Sequence, residues 1–290
     1  VDVARRRLRA GSLTVIDLHC HSTASDGLLA PAEVVRVAAE VGLTTIALTD
    51  HDTTAGLAEA TRAGMALGVR VIGGCEFSVQ ASWGEMHLLG YFLPPDDPAI
   101  EAFLVEARAD RERRARGMVS RLAALGVAIT SDDVLQESDG GAIGRPHVAR
   151  ALHRLGHVQT IQQAFDRYIG RGRPAFVDKV LPTLREVADL VHARGGIVSA
   201  AHLKYHGTKA TLAVLRDEGL DAVETRHPSH DGERVAEITE AAMALDLART
   251  GGSDWHGEMD PLGTHAMLGA MQVPEAWLEV LEARRPTGVS

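Results

Sequence analysis

The chain's first apolar run, "LTVIDLH", alternates as a strand does and breaks at once into the polar stretch "CHSTASDG". Next, "PAEVVRVAAEVG" repeats apolar residues at helical spacing, with Pro31 in its first turn and Gly42 at its stop. "TTIALTDH" reads as a second strand, "AEATRAGMALG" as a second helix, and "VRVIGGCEF" and "MHLLGYF" as a third and a fourth strand. Strands alternating with helices predict a parallel α/β sheet, open or closed into a barrel.

The pattern changes at "PPDDP". From residue 95 to about residue 172 the apolar spacing is helical, with no convincing strand. Within this stretch "AIGRPHVARAL" opens a helix at a Gly-Arg-Pro turn, with Pro146 in the first turn. After "GRGRPAF" the alternation resumes: helix "TLREVADLVHARGG", strand "IVSAAH", a helix, strand "AVETRH", a further helix, then "LARTGGSDWH". The expected organisation is a body of residues 12–94 and 173–290 carrying a helical insertion of residues 95–172, which contributes to the substrate cleft. No internal repeat interrupts it.

Composition narrows the class. The 290 residues suffice for a sizeable core, and 45% hydrophobic with 24% charged residues is ordinary for a soluble globular protein. No apolar run approaches a membrane span, so no membrane partner is expected. The opening "VDVARRRLRAGSL" lacks the apolar core of a signal peptide and reads as a frayed lead-in, so a cytoplasmic location is expected. A net charge of −9 argues against a groove for long duplex nucleic acid. It leaves room for a small phosphorylated substrate, because bound metals reverse the local field. Two cysteines, Cys20 and Cys75, make a disulfide framework unnecessary; both are expected to pack as small apolar thiols on the far strand face. Oligomeric state is not legible.

The candidate chemistry gathers at strand ends. His19 and His21 end the first strand, His51 the second, Glu76 the third and His202 the strand "IVSAAH", while Asp254 and His256 follow a Gly-Gly pair. In parallel α/β architectures these ends share one rim, where active sites form. His19 and His21 share a strand face, so both imidazoles can bind one ion or two adjacent ions, and Asp254 and His256 repeat that spacing. Each histidine alone is as well read as a satisfied polar residue; six among three carboxylates predict metal binding. His87 lies at the start of the fourth strand, where spacing leaves it undecided.

"DLHCHSTASDG", "LTDHDT", "GCEFS", "AAH" and "GSDWHG" resemble the successive motifs of the PHP (polymerase and histidinol phosphatase) superfamily, in order from residue 14 to residue 258. Within it the sequence is similar to stand-alone phosphoesterases that cut nucleoside 3′,5′-bisphosphates and trim short RNA 5′ ends. The resemblance implies a distorted seven-stranded β/α barrel, TIM-like, with two or three divalent metal ions. Manganese, iron or zinc suits the mixed imidazole and carboxylate donors, and magnesium also occurs in the family. It implies one metal among His19, His21, Glu76 and Asp254. A second would be bridged by Glu76 and held by His87 and His202, and a third held by Asp26, His51 and His256. The implied catalytic set is His19, His21, Glu76, Asp254 and His256, with attack on phosphorus by a metal-bridging hydroxide.

A second phosphate needs its own clamp. Arg145 in "IGRPHVAR" reads either as that clamp or as a surface arginine on a helix start, and His147 beside it is a weaker candidate of the same kind. Lys204, Arg226 and His227 lie at strand ends on the expected rim and are further candidates. Many relatives read His-Pro-Gly-Arg-Tyr where this chain has "HLKYH", so Lys204 stands in for a fork-shaped donor with a point charge. His230 reads as a helix cap or surface residue, and His265 as a residue behind the site or on the surface. The charge run "RADRERRARG" reads as a solvated helix face, one side of which is free to line the cleft.

The expected activity is hydrolysis of a phosphomonoester of a small nucleotide. Alternatives are a histidinol-phosphate phosphatase, a metal-dependent amidohydrolase, or a non-catalytic metal-stabilised module that binds a phosphorylated ligand. The amidohydrolase reading wants a lysine at a middle strand end, and none of Lys179, Lys204 and Lys209 is so placed.

Overall fold

A computed structural model describes residues 15–138, 142–257 and 265–287. The arginine-rich lead-in lies outside the described residues. Eight strands form one sheet in the order β7-β6-β5-β4-β3-β2-β1-β8. They are β1 (Val15–Cys20), β2 (Thr45–Leu48), β3 (Arg70–Ala81), β4 (Gly84–Tyr91), β5 (Ile197–Ala200), β6 (Ala222–Arg226), β7 (Ala248–Gly251) and the two-residue β8 (Val273–Pro274). The sheet curls into a nearly closed barrel. Its last seam is sewn by backbone bonds from Asp254 N–H to His19 O at 2.9 Å and from His21 N–H to Trp255 O at 2.9 Å.

Closure depends on one small residue. A Cβ on Gly252 would lie 2.4 Å from the backbone nitrogen and Cβ of His19, so only glycine lets the returning chain approach β1 this closely. The metal-motif residues on both sides of the seam are thus placed by backbone contact rather than by side-chain reach.

Two strands depart from the expected parallel sheet, the short β8, antiparallel to β1, and β4, which bears on the site. β4 is antiparallel to both β3 and β5, and β3 joins β4 through a tight hairpin, with Ala81 paired to Gly84. A parallel return needs a crossover of a dozen residues, which two hairpin residues cannot supply. The reversal brings the beginning of β4, not its end, to the rim where the parallel strands finish. That is why His87 joins the site.

Helices α1 (Pro31–Glu40) and α2 (Leu57–Leu67) cover β1 and β2, and their apolar faces pack with Val15, Ile46 and Leu48. Gly42 takes φ +86° just past α1, the left-handed stop expected there. Between β4 and β5 the chain forms α3 (Pro98–Ala124), α4 (Ser131–Ser138), α5 (Arg145–Arg154), α6 (Ile161–Ala164), a five-residue π-turn (Phe165–Ile169) and α7 (Leu184–His192). The far half of α3 packs with α4, α5 and α6 in a core of their own, around Met118, Leu122, Val148 and Leu152. Its first turns belong to the barrel wall, where Ile100 and Leu104 are buried against Phe77 and Leu184. Helices α8 (Lys209–Asp217), α9 (Gly232–Ala244) and α10 (Glu275–Ala283) complete the outer layer. No helix among the described residues is long and apolar enough to cross a membrane.

Cys20 and Cys75 are both buried in the wall, their backs to the barrel interior, with Cys20 Sγ donating to Ala47 O. The α3 charge run is two-faced. Arg113 and Arg116 pair with their own helix at the surface. Arg111 is buried and donates from Nε to Asp52 Oδ2 at 2.6 Å, and Arg114 is buried beside Val177 O.

Candidate metal centre

Glu76 stands at the middle of the rim, 1% exposed. Its Oε2 lies 3.2 Å from His19 Nε2, 3.1 Å from His21 Nε2 and 3.2 Å from His51 Nδ1. Its Oε1 lies 2.7 Å from His87 Nδ1 and 3.0 Å from His202 Nε2. On the other side Asp254 Oδ1 is 3.3 Å from His19 Nε2 and 3.2 Å from His21 Nε2. Asp26 Oδ1 faces His256 Nε2 at 3.3 Å, and its Oδ2 is 4.0 Å from His51 Nε2. All nine sequence-predicted ligand residues therefore meet in one cluster.

These spacings fit cations. Donors about 2.0–2.1 Å from a shared ion stand roughly 3.3 Å apart in a tetrahedron, and Nε2 of His19 and of His21 each stand 3.1–3.3 Å from an oxygen of Glu76 and one of Asp254. A second grouping joins His21, Asp26, His51 and His256, and a third joins His51, Glu76 and His87. Both ring nitrogens of His21, Asp26 Oδ1 and His51 Nδ1 are buried without an aligned hydrogen bond. Buried polar atoms left so are rare unless something else satisfies them. The donor chemistry and the misalignment for protons both fit bound metal.

Electrostatics favour the ligand-competent forms of the carboxylates and of His51, while without a cation the carboxylates hold protons on His19, His21 and His87. Burial resists charge on Glu76 and Asp254, but the surrounding imidazoles outweigh it and hold both carboxyls well below the usual range. Burial pushes His51 down to about 3, which leaves it neutral. In the absence of a cation, burial of His21 is outweighed by Asp254 and Glu76, which raise it to about 10. A proton and a metal compete for that ring.

Partners behind the ligands set their tautomers. His19 Nδ1 donates to Glu224 Oε1 at 3.2 Å, which leaves Nε2 facing Glu76 and Asp254. Glu224 Oε2 also accepts from the backbone N–H of His202 at 2.8 Å. His256 Nδ1 donates to Asp254 O at 2.8 Å. Asp17 accepts from His19, Ser253 and Gly269 backbone N–H groups, and Asp50 accepts three bonds from Ser22 and Ser25, folding the loop that carries Asp26. Glu224, Asp17 and Asp50 were not singled out by the sequence. Their only signal was a carboxylate inside, or at the end of, an otherwise apolar strand.

The phosphate candidates divide. His227 is buried next to the cluster, with Nε2 3.4 Å from Asp254 Oδ2. Ser229 N–H donates to its Nδ1 at 3.1 Å, which leaves the Nε2 proton pointing toward the site. Lys204 sits in the turn after β5 at φ +53° and lines both clefts that reach the cluster. Arg145 begins α5, half-buried, over the Phe176 ring at 6.0 Å and with Nη2 3.9 Å from Glu85.

Two candidates are corrected. Arg226 leaves the rim: a bulge between Glu224 and Arg226 turns its side chain outward, over the Trp277 ring at 5.1 Å and against Gln272 O. His147 is a buried helix cap whose Nδ1 accepts from Gly144 N–H at 2.8 Å, and burial pushes it down to about 4. Two other histidines rise in standing. His230 is buried, donating to Thr225 O and accepting the Lys204 N–H at 3.1 Å, so it props the strained 202–204 turn. His265 lies 3.1 Å from Asp254 Oδ2.

A family model described as the PHP domain matches residues 17–192. The chain is 35% identical over 245 residues to a 5′-3′ exoribonuclease of Haemophilus influenzae, covering 83% of this chain and 89% of that one. It is 34% identical over 249 residues to a 3′,5′-nucleoside bisphosphate phosphatase of Chromobacterium violaceum, covering 83% and 87%. A crystal structure from Bifidobacterium adolescentis, described as a candidate metal-dependent phosphoesterase, superposes with a TM-score of 0.85 at 32% identity, covering 93% of this chain and 96% of that one. Barrel, donor cluster and relatives together define a metal-dependent phosphoesterase. The chain belongs to the PHP family.

Proposed function

We propose that the protein hydrolyses a phosphomonoester of a small nucleotide, a nucleoside 3′,5′-bisphosphate or the 5′ end of a short oligonucleotide. The observation that carries this reading is the convergence of six imidazoles and three carboxylates, Glu76 at their middle, in one cluster at the foot of an open cleft of about 980 Å³. Nucleotide substrates are favoured because the relatives named above are a bisphosphate phosphatase and an exoribonuclease. His19, His21, Glu76 and Asp254 would hold one ion. His87 and His202 would share Glu76 with a second, and Asp26, His51 and His256 would hold a third. Divalent ions bound there lower the pKa of water and neutralise charge on phosphoryl oxygens.

The chain's own groups supply the rest. His227, with its Nε2 proton fixed toward the cleft, donates a hydrogen bond to a phosphoryl or leaving oxygen beside Asp254. Lys204 and Arg145 flank the cluster and bind the phosphate that is not cut. A cytoplasmic location belongs to the same proposal. The amidohydrolase reading fares worse: Lys179 Nζ pairs with Ser78 Oγ at 3.0 Å and with Glu85, outside the donor cluster.

The test is phosphate release from 3′,5′-bisphosphonucleotides, short 5′-phosphorylated oligonucleotides and histidinol phosphate, with metal content measured in the same sample. Asp254→Ala should lower kcat by about a thousandfold or more while the circular dichroism spectrum is kept. Full turnover by this variant with added Mn²⁺, or no release from any nucleotide by metal-loaded wild type, refutes the reading.

A further inference from the structure

Lys179 is a charged side chain only 11% exposed, in the segment of residues 173–183 that leads back from the insertion to α7. Its Nζ donates to Ser78 Oγ at 3.0 Å and pairs with Glu85. Burying an ammonium costs its hydration, which an ion pair offsets only with good geometry and added hydrogen bonds. The hairpin does not need the pair for its own closure, since β3 and β4 are in register from Gly74 and Tyr91 to Ala81 and Gly84. What the lysine holds is the carboxylate two residues before the ligand His87.

His87 stands between two acids. Its Nδ1 is 2.7 Å from Glu76 Oε1, inside the donor cluster, and its Nε2 is 3.1 Å from Glu85 Oε1, outside it. A ring nitrogen binds metal only without its proton, so the nitrogen that keeps one decides whether His87 can serve. Glu85 gives Nε2 an acceptor and leaves Nδ1 to the cluster. Glu85 itself is part-exposed and lines an open groove of about 500 Å³, so burial alone does not fix it. Lys179 does, and Ser78, the cross-strand partner of His87, gives the lysine its second anchor.

The segment that carries Lys179 is held from both sides. Gln80 N–H of β3 donates to Pro182 O at 2.8 Å. From α3, Arg113 donates to Asp178 O at 3.1 Å and Arg114 to Val177 O at 3.3 Å. A line of contacts thus runs from α3 of the insertion, through Lys179 and Glu85, to the outer nitrogen of His87. His19 and His21 are oriented otherwise, by Glu76, Asp254 and Glu224, all carboxylates of the barrel.

We infer that Glu85 and Lys179 are positioning residues for the metal ion held by Glu76, His87 and His202. Glu85 fixes the Nε2 proton of His87, and Lys179, set in place by the insertion, fixes Glu85. The inference rests on the metal centre of the proposed function and not on the identity of the substrate.

The experiment titrates Mn²⁺ into the chelator-stripped whole chain by calorimetry without substrate, and measures kcat and KM on the same preparations. His87→Ala identifies the class of site that depends on that ring. Glu85→Ala is expected to weaken the same class by about 10–100-fold, the usual effect of losing a partner of a ligating histidine, and to spare the others. Lys179→Met should weaken it about tenfold, while Lys179→Arg, which keeps the ion pair, should stay near wild type. Glu85 Oε2 also faces Arg145 Nη2 at 3.9 Å, so Glu85 variants should raise KM as well. Lys179→Met should instead lower kcat at limiting Mn²⁺, recover it at saturating Mn²⁺ and leave KM unchanged. Asp178→Asn, in the same groove, is the control and should keep every class of site.

Tighter Mn²⁺ binding by Lys179→Met would make Glu85 a ligand for which the lysine competes, and overturns the inference. Equal weakening of every class, which is damage to the fold alone, overturns it too, as does a wild type that binds one ion only. Selective weakening in a protein that releases no phosphate from any nucleotide would sustain the inference while the proposed function fell. Nucleotide hydrolysis with Mn²⁺ affinity unchanged in Glu85→Ala and Lys179→Met would do the reverse.

Discussion

A histidine ligates metal well only when its ring is turned and its other nitrogen carries the proton, and at His19 both are the work of Glu224. Burial opposes charge on this carboxylate, but His227 and His19 outweigh it and hold it below the usual range, so it stays an anion facing the His19 Nδ1 proton. The same carboxylate fixes the His202 backbone, which sits at φ +30°. Glu224→Ala should therefore weaken metal binding by about 10–100-fold, the usual effect of losing such a partner, with Glu224→Gln losing less because it still accepts a hydrogen bond. Metal titration followed by residual kcat checks this, and equal affinities in both variants and wild type would contradict it. Residues of this kind were hidden in the sequence for a physical reason. The ligands announced themselves as histidines at strand ends, whereas "AVETRH" shows only one acid in an apolar strand. Arg226 misled for the converse reason, since a bulge has no signature in spacing and one extra residue rotates the side chain off the rim. His230 looked like a surface residue because its value lies in two backbone groups that only the folded turn brings within reach.

Elements were legible where they bury an apolar face and obscure where they do not. The barrel strands and α1, α2 and α7 follow their hydrophobic spacing closely. The tip of the hairpin between β3 and β4, "SWGE", holds no fully buried residue, only a partly buried Trp83. The pattern fell silent there, and the reversal of β4 went unread. Resemblance, not spacing, was what supplied His87. Helix α3 shows the opposite masking: "RADRERRARG" looks solvated, yet Arg111 is only 7% exposed and donates to Asp52, which in turn accepts from Ser78 N–H. This pair fastens α3 to the strand ends that carry His51 and Glu76. Arg111→Ala leaves the Asp52 charge buried with only Lys179 nearby, and should cost about 3–5 kcal/mol of stability. The double variant Arg111→Leu/Asp52→Asn should regain part of that loss, because both charges leave together. Urea denaturation of the three proteins checks the ordering, and a single variant no less stable than the double one would refute it.

Across the whole molecule the two ends of the barrel do different work. The rim at the carboxyl ends collects ligands, strained turns and the two clefts, while the opposite end is tied together by interactions that touch no ligand. The clearest of these joins α7 to the strands: His192 Nε2 lies 2.7 Å from Asp221 Oδ2, which also accepts the Val198 N–H at 2.8 Å. The hydrogen bond to Asp221 raises the His192 pKa above its ordinary 6.5, against a smaller opposing effect of burial. A folded-state pKa raised above the unfolded one means that the folded protein binds the proton more tightly. The tie therefore contributes in full below about pH 6.5, where the unfolded histidine is also protonated, and fades as pH rises through the raised value. His192→Gln should lower Tm measurably at pH 5.5 and little at pH 8.5, with phosphate release per folded molecule unchanged at both. Chelation makes the complementary test at the other end. Stripping the metals should abolish turnover and lower Tm, because a ligand that binds only the folded state stabilises it by mass action. The pH-dependent difference between wild type and His192→Gln should survive in the stripped protein, since neither member of the tie belongs to the donor cluster. A difference that vanished with the metals would mean that the two ends of the barrel are coupled, and that the ligand rim and the His192 tie form one cooperative network.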